Sequence, residues 1–269
     1  MTKFGFITNK YSISVLILGC VLLTDIVLHR GISRMILPAT FSDKIVPANL
    51  PLCNNALAQK DKHWIKAVNS ISLMEKIPAN TPGIECDLYF NIQKNHFDVS
   101  PDSVISSGLD ADSLLSVYAA KKMTANTWFN IKNLDGQNAG ASLTEMIRLK
   151  NKYGLTGRII IESSAASFLK TFCDSGFYTS YTVPYFNPYK SSEPPIIQFA
   201  DSIRTTLTKY PASSVSGSYF QYPLLKKFFP TYPILTRADN VTISFVSYLF
   251  KRQLENDENI KVILYSFKD

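Results

Sequence analysis

Short β-rich runs and helical runs alternate along most of this chain, and that alternation restricts the fold more than any single motif does. The β-rich runs fall at 63–69 (HWIKAVN), 83–90 (GIECDLYF), 127–132 (TWFNIK), 157–163 (GRIIIES), 177–184 (FYTSYTVP), 213–219 (SSVSGSY), 232–238 (YPILTRA) and 260–267 (IKVILYSF). Helical patterns occupy 111–122, 141–154, 167–173, 196–210 and 241–255 between them. Strands that alternate with helices form a parallel sheet with the helices outside, and eight such units predict closure into an α/β, (β/α)8 TIM-like barrel. A ninth run, HFDVS at 96–100, follows the second strand too closely for a helical crossover and reads as a hairpin-like excursion. With 269 residues, 46% of them hydrophobic, the chain can bury a substantial core, and 18% charged residues argue against long disorder.

Ahead of the barrel, Tyr11 to Leu28 is an apolar run of about the length that spans a bilayer, preceded by Lys3 and Lys10. It reads as a transmembrane or signal-anchor helix, with Asp25 a cost near its end. A lipoprotein signal competes, because ILGC at 17–20 approximates the pattern in which the Cys, here Cys20, is lipidated; continuation of the apolar run past Cys20 favours the uncleaved anchor. The expected organisation is an anchor or signal segment at 1–29, a linker at 30–61 carrying Pro38, Pro47 and Pro51, and the barrel at 62–269. The barrel would then sit outside the cytoplasm, periplasmic or extracellular, with the membrane as a partner. Cys53, Cys86 and Cys173 are odd in number and at no metal spacing, which predicts neither a zinc site nor a disulfide framework and reads Cys86 and Cys173 as small buried hydrophobes. The net charge of +7 is spread along the chain and inclines it towards anionic surfaces or substrates. Nucleic acid is excluded as a partner, because no basic patch with interleaved aromatics is present.

Within GIECDLYF, Glu85 and Asp87 share one face of the strand while Ile84, Cys86 and Leu88 share the other. Two adjacent carboxylates in a half-buried place require a cation, a shared proton or a basic side chain. Asn69, Asn130, Lys132, Glu162, Ser216 and Arg237 also lie in the strand runs towards their ends. In a barrel of this kind, the C-terminal ends of the strands build the site. Arg237 reads either as a ligand for phosphate or sulfate or as a partner of Glu162 across the barrel.

The order WIKAVNS, GIECDLYF, WFNIK, GRIIIES, SSVSGSY and LTRA resembles the PLC-like phosphodiesterase superfamily, most closely its menorin-like branch, and more distantly sphingomyelinase D and the glycerophosphodiester phosphodiesterases. The resemblance covers residues 63–267. It implies a His in the first strand and a second His after the acidic strand as the acid/base pair, with a Glu, an Asp and a further Asp on a divalent metal. Glu85 and Asp87 match the first two ligands, whose hard oxygens suit Mg2+ or Ca2+. Asn130 stands at the third ligand position, Lys132 is kept, Lys66 replaces the first His and Ser100 the second.

With a reference pKa near 10.4, Lys66 is a better anion partner than a base, and it could pair with Glu85 or Asp87 in place of the metal. His96 is the remaining candidate acid, while His63 falls on the opposite face from the site. The resemblance therefore implies a membrane-anchored phosphodiesterase fold with a degenerate site and a binding or scaffolding role, in which Asn69, Lys132 and Arg237 contact the ligand. The alternative is an active, metal-dependent enzyme on a lipid or glycan phosphodiester, with Lys66, His96 and Asp98 as its acid/base set. A structural role in an envelope complex would rest on the anchor alone. Tyr178, Tyr181, Tyr185 and Tyr189 read as a sugar or lipid surface or as loop packing, and Asn240 opens a formal glycosylation sequon.

Overall fold

A computed structural model describes residues 10–29, 49–59, 61–100, 108–188, 191–238 and 245–267. Its barrel strands are β1 (His63–Ile65), β2 (Gly83–Asn91), β3 (His96–Val99), β4 (Asn126–Ile131), β5 (Ile159–Ser163), β6 (Tyr178–Thr182), β7 (Ser214–Ser218), β8 (Ile234–Arg237) and β9 (Ile260–Tyr265). All pair in parallel except β3, which returns antiparallel on β2. The order β1-β9-β8-β7-β6-β5-β4-β2, with β1 also paired to β2, closes the sheet into an eight-stranded barrel.

Helices α1 (Lys10–His29), α2 (Ile71–Lys76), α3 (Ala111–Ala120), α4 (Ala139–Lys152), α5 (Ala166–Asp174), α6 (Glu193–Lys209), α7 (Tyr222–Phe228) and α8 (Phe245–Asn256), with a 3-10 turn at Tyr219–Gln221, complete the described elements. The five longer crossover helices lie where the periodicity predicts them. Helices α2 and α7, of 6 and 7 residues, are too short for a repeat to register in the sequence and are held by local chemistry instead. The Ser70 hydroxyl accepts from Leu73 N–H at 3.2 Å at the start of α2, and the Lys121 ammonium bonds the carbonyls of Met74 and Ile77 at its end.

Strand alternation sorts the core into two bodies. The larger lies between sheet and helices and takes Ile84, Cys86, Leu88, Phe129, Ile159 and Ile161. The smaller fills the barrel's lower interior with Trp64, Trp128, Ile160, Tyr178, Leu235, Val262 and Leu264. Gly83 makes room for this inner layer, because a Cβ there would lie 2.1 Å from the Trp64 ring.

The first strand departs from the expected 63–69. It ends at Ile65, because Ala67 takes φ 56, a left-handed conformation that turns the chain out of the sheet. The stretch read as linker differs as well, since residues 49–59 are not a free tether. Cys53 N–H bonds Ala212 O at 3.1 Å, Ala58 N–H bonds Gly157 O at 2.9 Å, and Asn55 Nδ2 bonds the carbonyls of Cys173 and Phe177 at 2.7 and 2.8 Å. Leu57 packs under the inner cluster, at the N-terminal mouth of the barrel.

Cys53 and Cys173 form a disulfide, with Cα atoms 6.3 Å apart across 120 positions, which corrects the expectation of no disulfide. Counting cysteines could not find it, because only the fold brings a linker residue beside the end of α5. Cys86 is buried as expected, and burial pushes its thiol well above the ordinary range. Residues 30–48, Tyr189 and Asn240 lie outside the described residues.

Helix α1 touches α8, yet Tyr11, Val15, Leu16, Leu18, Leu23 and Val27 remain more than half exposed. Among the described residues no helix is long and apolar enough to cross a membrane.

The disulfide makes a direct prediction. Replacing Cys53 and Cys173 by Ala lowers the unfolding free energy by about 2–5 kcal/mol in urea. The unmodified chain, unfolded without reductant, exposes only Cys20 and Cys86 to a thiol reagent; four reactive thiols would refute the bridge.

Candidate functional site

The upper interior of the barrel, at the C-terminal ends of the strands, is polar. Its residues come from inward positions of neighbouring strands in register: Asp87 opposite Asn130, Asn130 opposite Glu162, Glu162 opposite Ser180, Thr182 opposite Ser216, and Ser218 opposite Arg237. Parallel pairing brings side chains of equal register to one level, so polar residues scattered over 150 positions of sequence share one small volume.

Glu162 organises the half of the mouth opposite β2. It is fully buried, and three donors from three strands satisfy it. Trp128 Nε1 donates to Oε2 at 2.8 Å, a guanidinium nitrogen of Arg237 donates to the same oxygen at 2.6 Å, and the Ser216 hydroxyl donates to Oε1. The guanidinium also lies 5.8 Å from the Trp128 ring centre. The Glu162 carboxylate is the main influence holding Arg237 charged, against the opposing effect of burial, and Glu85 and Asp87 add to it. The Arg237 side chain remains 33% exposed, so a guanidinium braced from below reaches the mouth.

Asp87 organises the other half. Asn69 grips it twice, Nδ2 donating to Oδ2 at 2.9 Å and Oδ1 accepting the Asp87 N–H at 2.9 Å. Lys132 places its ammonium 2.7 Å from Oδ1, and Asn130 Nδ2 donates to the same oxygen at 3.3 Å. Asn69 is thus a clamp for Asp87, which a strand reading of 63–69 could not reveal. The turn at Ala67 explains the clamp: once the chain leaves the sheet, Val68 N–H bonds Glu85 O at 2.7 Å and Ala67 N–H donates to Glu85 Oε2 at 2.6 Å.

Glu85 is buried beside these groups. Burial, then the neighbouring charge of Asp87, pushes its carboxyl up to about 7, although Arg237 and the Ala67 N–H act in the opposite direction.

The remaining sequence candidates separate. Lys66 follows β1, half-buried, its N–H on Tyr265 O at 2.9 Å; the ammonium found on Asp87 is that of Lys132. Ser100, at the second His position of the resemblance, is buried with its N–H on Asp87 O at 3.1 Å, so it does reach the site. His96 does not. It pairs with Asn91 at the far end of the β2–β3 hairpin, four residues from Ser100, which at about 3.3 Å per residue is roughly 13 Å away, and its Nε2 lies 2.8 Å from Asp98. His63 lies at the lower end of β1 between Asp61 and Glu255, at 2.7 and 3.2 Å. Trp128 escaped the sequence reading; its spacing of two from Asn130 on one face was the available signal.

The donor set does not fit a divalent cation. Such an ion needs several unencumbered oxygens, whereas both Asp87 oxygens are engaged by nitrogen donors, one of them an ammonium. Among the described residues no group of three or more acidic, His or Cys side chains is placed to hold a metal.

Glu85 makes the stability of the fold depend on pH. Its folded carboxyl holds a proton to about pH 7 and its ordinary value is 4.5. The stability it supplies is therefore full below pH 4.5 and is lost as pH rises through about 7, a fall of roughly 3 kcal/mol. Urea titrations across that window should show the fall in the natural chain and not in Glu85→Gln; parallel curves would contradict it.

No family model and no curated protein matches the chain. Several solved structures share its fold. A glycerophosphodiester phosphodiesterase from Parabacteroides distasonis ATCC 8503 superposes with TM-score 0.50 at 15% identity, over 77% of this chain and 93% of that one. A putative glycerophosphoryl diester phosphodiesterase from Silicibacter pomeroyi DSS-3 gives 0.52 at 9% identity, over 78% and 91%. A putative glycerophosphodiester phosphodiesterase from Galdieria sulphuraria gives 0.51 at 13% identity, over 77% and 94%. The chain therefore shares the closed parallel barrel of these solved structures, with its polar mouth at the C-terminal strand ends, where barrels of this architecture build their sites.

Proposed function

We propose that this chain is a membrane-attached barrel whose mouth binds an anionic ester, a phosphodiester of a lipid or a glycan, without the acid/base histidines that the family resemblance implies. The observation that carries this reading is the pair of braced cations. Arg237 on Glu162 and Lys132 on Asp87 hold a guanidinium and an ammonium at a polar mouth that they share with the Glu85 carboxyl and the amides of Asn69 and Asn130. An anion entering there meets donors already oriented by buried carboxylates, so little ordering remains to oppose binding.

Binding is proposed to be independent of Mg2+ and Ca2+, because both Asp87 oxygens are already engaged by nitrogen donors. Placement in the menorin-like branch belongs to the same proposal and rests on the sequence motifs. Attachment through α1 is supported by its exposed apolar side chains. The Cys20 lipoprotein alternative shares that location. The Cys53–Cys173 disulfide supports a compartment outside the cytoplasm, where such bonds persist.

A second reading has one observation in its favour. A carboxyl titrating at about 7, as Glu85 does, can exchange a proton at neutral pH and so serve an atypical phosphodiesterase.

One experiment separates the two. The full chain in detergent is assayed with bis(4-nitrophenyl) phosphate, alone and with Mg2+ or Ca2+, and its binding of inorganic phosphate is measured by calorimetry. The first reading expects no turnover above blank, phosphate binding unaffected by either cation, and a loss of at least about tenfold in affinity in Arg237→Met. Turnover abolished by Glu85→Gln would replace it with the second reading.

A further inference from the structure

The loops after β6 and β7 carry an aromatic group that the anion site does not use. Tyr185 lies three residues past Thr182, and Tyr219 and Phe220 directly follow Ser218, the register partner of Arg237. The Tyr185 and Phe220 rings meet edge to face, 5.4 Å apart at 72°, and Tyr219 meets Phe220 at 5.5 Å and 83°. Tyr185 is nevertheless 76% exposed. An exposed ring braced edge to face by its neighbour offers a flat apolar face to a ligand at the mouth.

The platform is fixed from beneath. Gln221 is buried, donates through Nε2 to Pro184 O at 2.8 Å and accepts from Ser218 N–H at 3.1 Å, so one amide ties the two loops together. Phe186, next to Tyr185, stacks on Phe199 of α6 at 4.5 Å and 14°. Beside Arg237, the register positions of β6 and β7 carry the hydroxyls of Thr182, Ser216 and Ser218, with the Ser216 hydroxyl on Glu162 and 3.4 Å from that of Thr182. Beneath Thr182, the Ser180 hydroxyl is buried with no hydrogen-bond partner.

Resting on the reading of the mouth as an anion site, we infer that Tyr185 and Phe220 form a stacking subsite for a sugar ring bearing the anionic group, so that the ligand is a glycosyl phosphate or phosphodiester rather than an acyl one. A sugar has an apolar C–H face for the rings and hydroxyls for the Thr and Ser wall, next to an anion on Arg237. An acyl chain would require a continuous apolar wall where this structure places hydroxyls.

Calorimetry on the full chain, in a polyoxyethylene detergent that carries neither sugar nor phosphate, tests this with α-glucose 1-phosphate, inorganic phosphate and octyl phosphate. The sugar phosphate should bind about five- to tenfold tighter than inorganic phosphate. Tyr185→Ala and Phe220→Leu should each remove that excess while leaving inorganic phosphate within about twofold, and Arg237→Met should weaken both. The subsite is refuted if the ring variants bind all probes like the natural chain, if octyl phosphate binds as tightly as the sugar phosphate, or if inorganic phosphate already does. Failure of the natural chain to bind any of the three overturns the anion site itself, and this inference with it. Tyr185→Ala is at an exposed position, so its melting curve should match that of the natural chain; Tyr185→Phe, which keeps the ring, should retain the excess.

Discussion

A fully buried carboxylate at the mouth of a barrel is costly unless its partners are fixed, and Glu162 is satisfied only because three other strands supply donors to it. Trp128, Ser216 and Arg237 come from β4, β7 and β8, so the donor set exists only where the curved sheet brings these strands around Glu162. The dependence also runs the other way, because Arg237 extends over Trp128 towards the opening only with Glu162 beneath it. Loss of the carboxylate would leave the Arg237 guanidinium without its ion-pair partner and the Trp128 and Ser216 donors without their acceptor. The charge at the mouth is therefore part of the fold and not an addition to it.

The acidic strand follows the same logic with a different outcome. Glu85 and Asp87 lie two residues apart on one face, and like charge and burial together forbid leaving both ionised without help. The structure resolves the conflict unequally. Asp87 receives an ammonium and two amides, while Glu85 receives one backbone N–H and is pushed towards the protonated form. The ammonium of Lys132 and the amides of Asn69 and Asn130 compensate Asp87.

The lower end of the barrel has its own organisation. Residues 49–59 close the N-terminal mouth and are held by backbone bonds, by Leu57 under the inner cluster and by the disulfide to α5. This closed end lies opposite the polar mouth.

Much of this was legible in the order of residues. All eight barrel strands, the hairpin excursion and the five longer helices follow from hydrophobic alternation, because period-two and helical patterns report directly which face of an element is buried. The same alternation placed Glu85, Asp87, Asn130, Lys132, Glu162, Ser216 and Arg237 at strand ends. Pairing was not legible, because it depends on register between strands far apart in sequence. Which ammonium meets Asp87, that Asn69 is its clamp, that Glu162 is braced by Trp128, and that Cys53 reaches Cys173 were all decided by barrel closure. A single positive φ at Ala67 ended the first strand early and moved Asn69 from a presumed strand face to the side of Asp87. The sequence by itself determined which residues face inward; only the tertiary structure decided which of them meet, because contact across a closed sheet is set by the stagger of its strands and not by the spacing within any one of them.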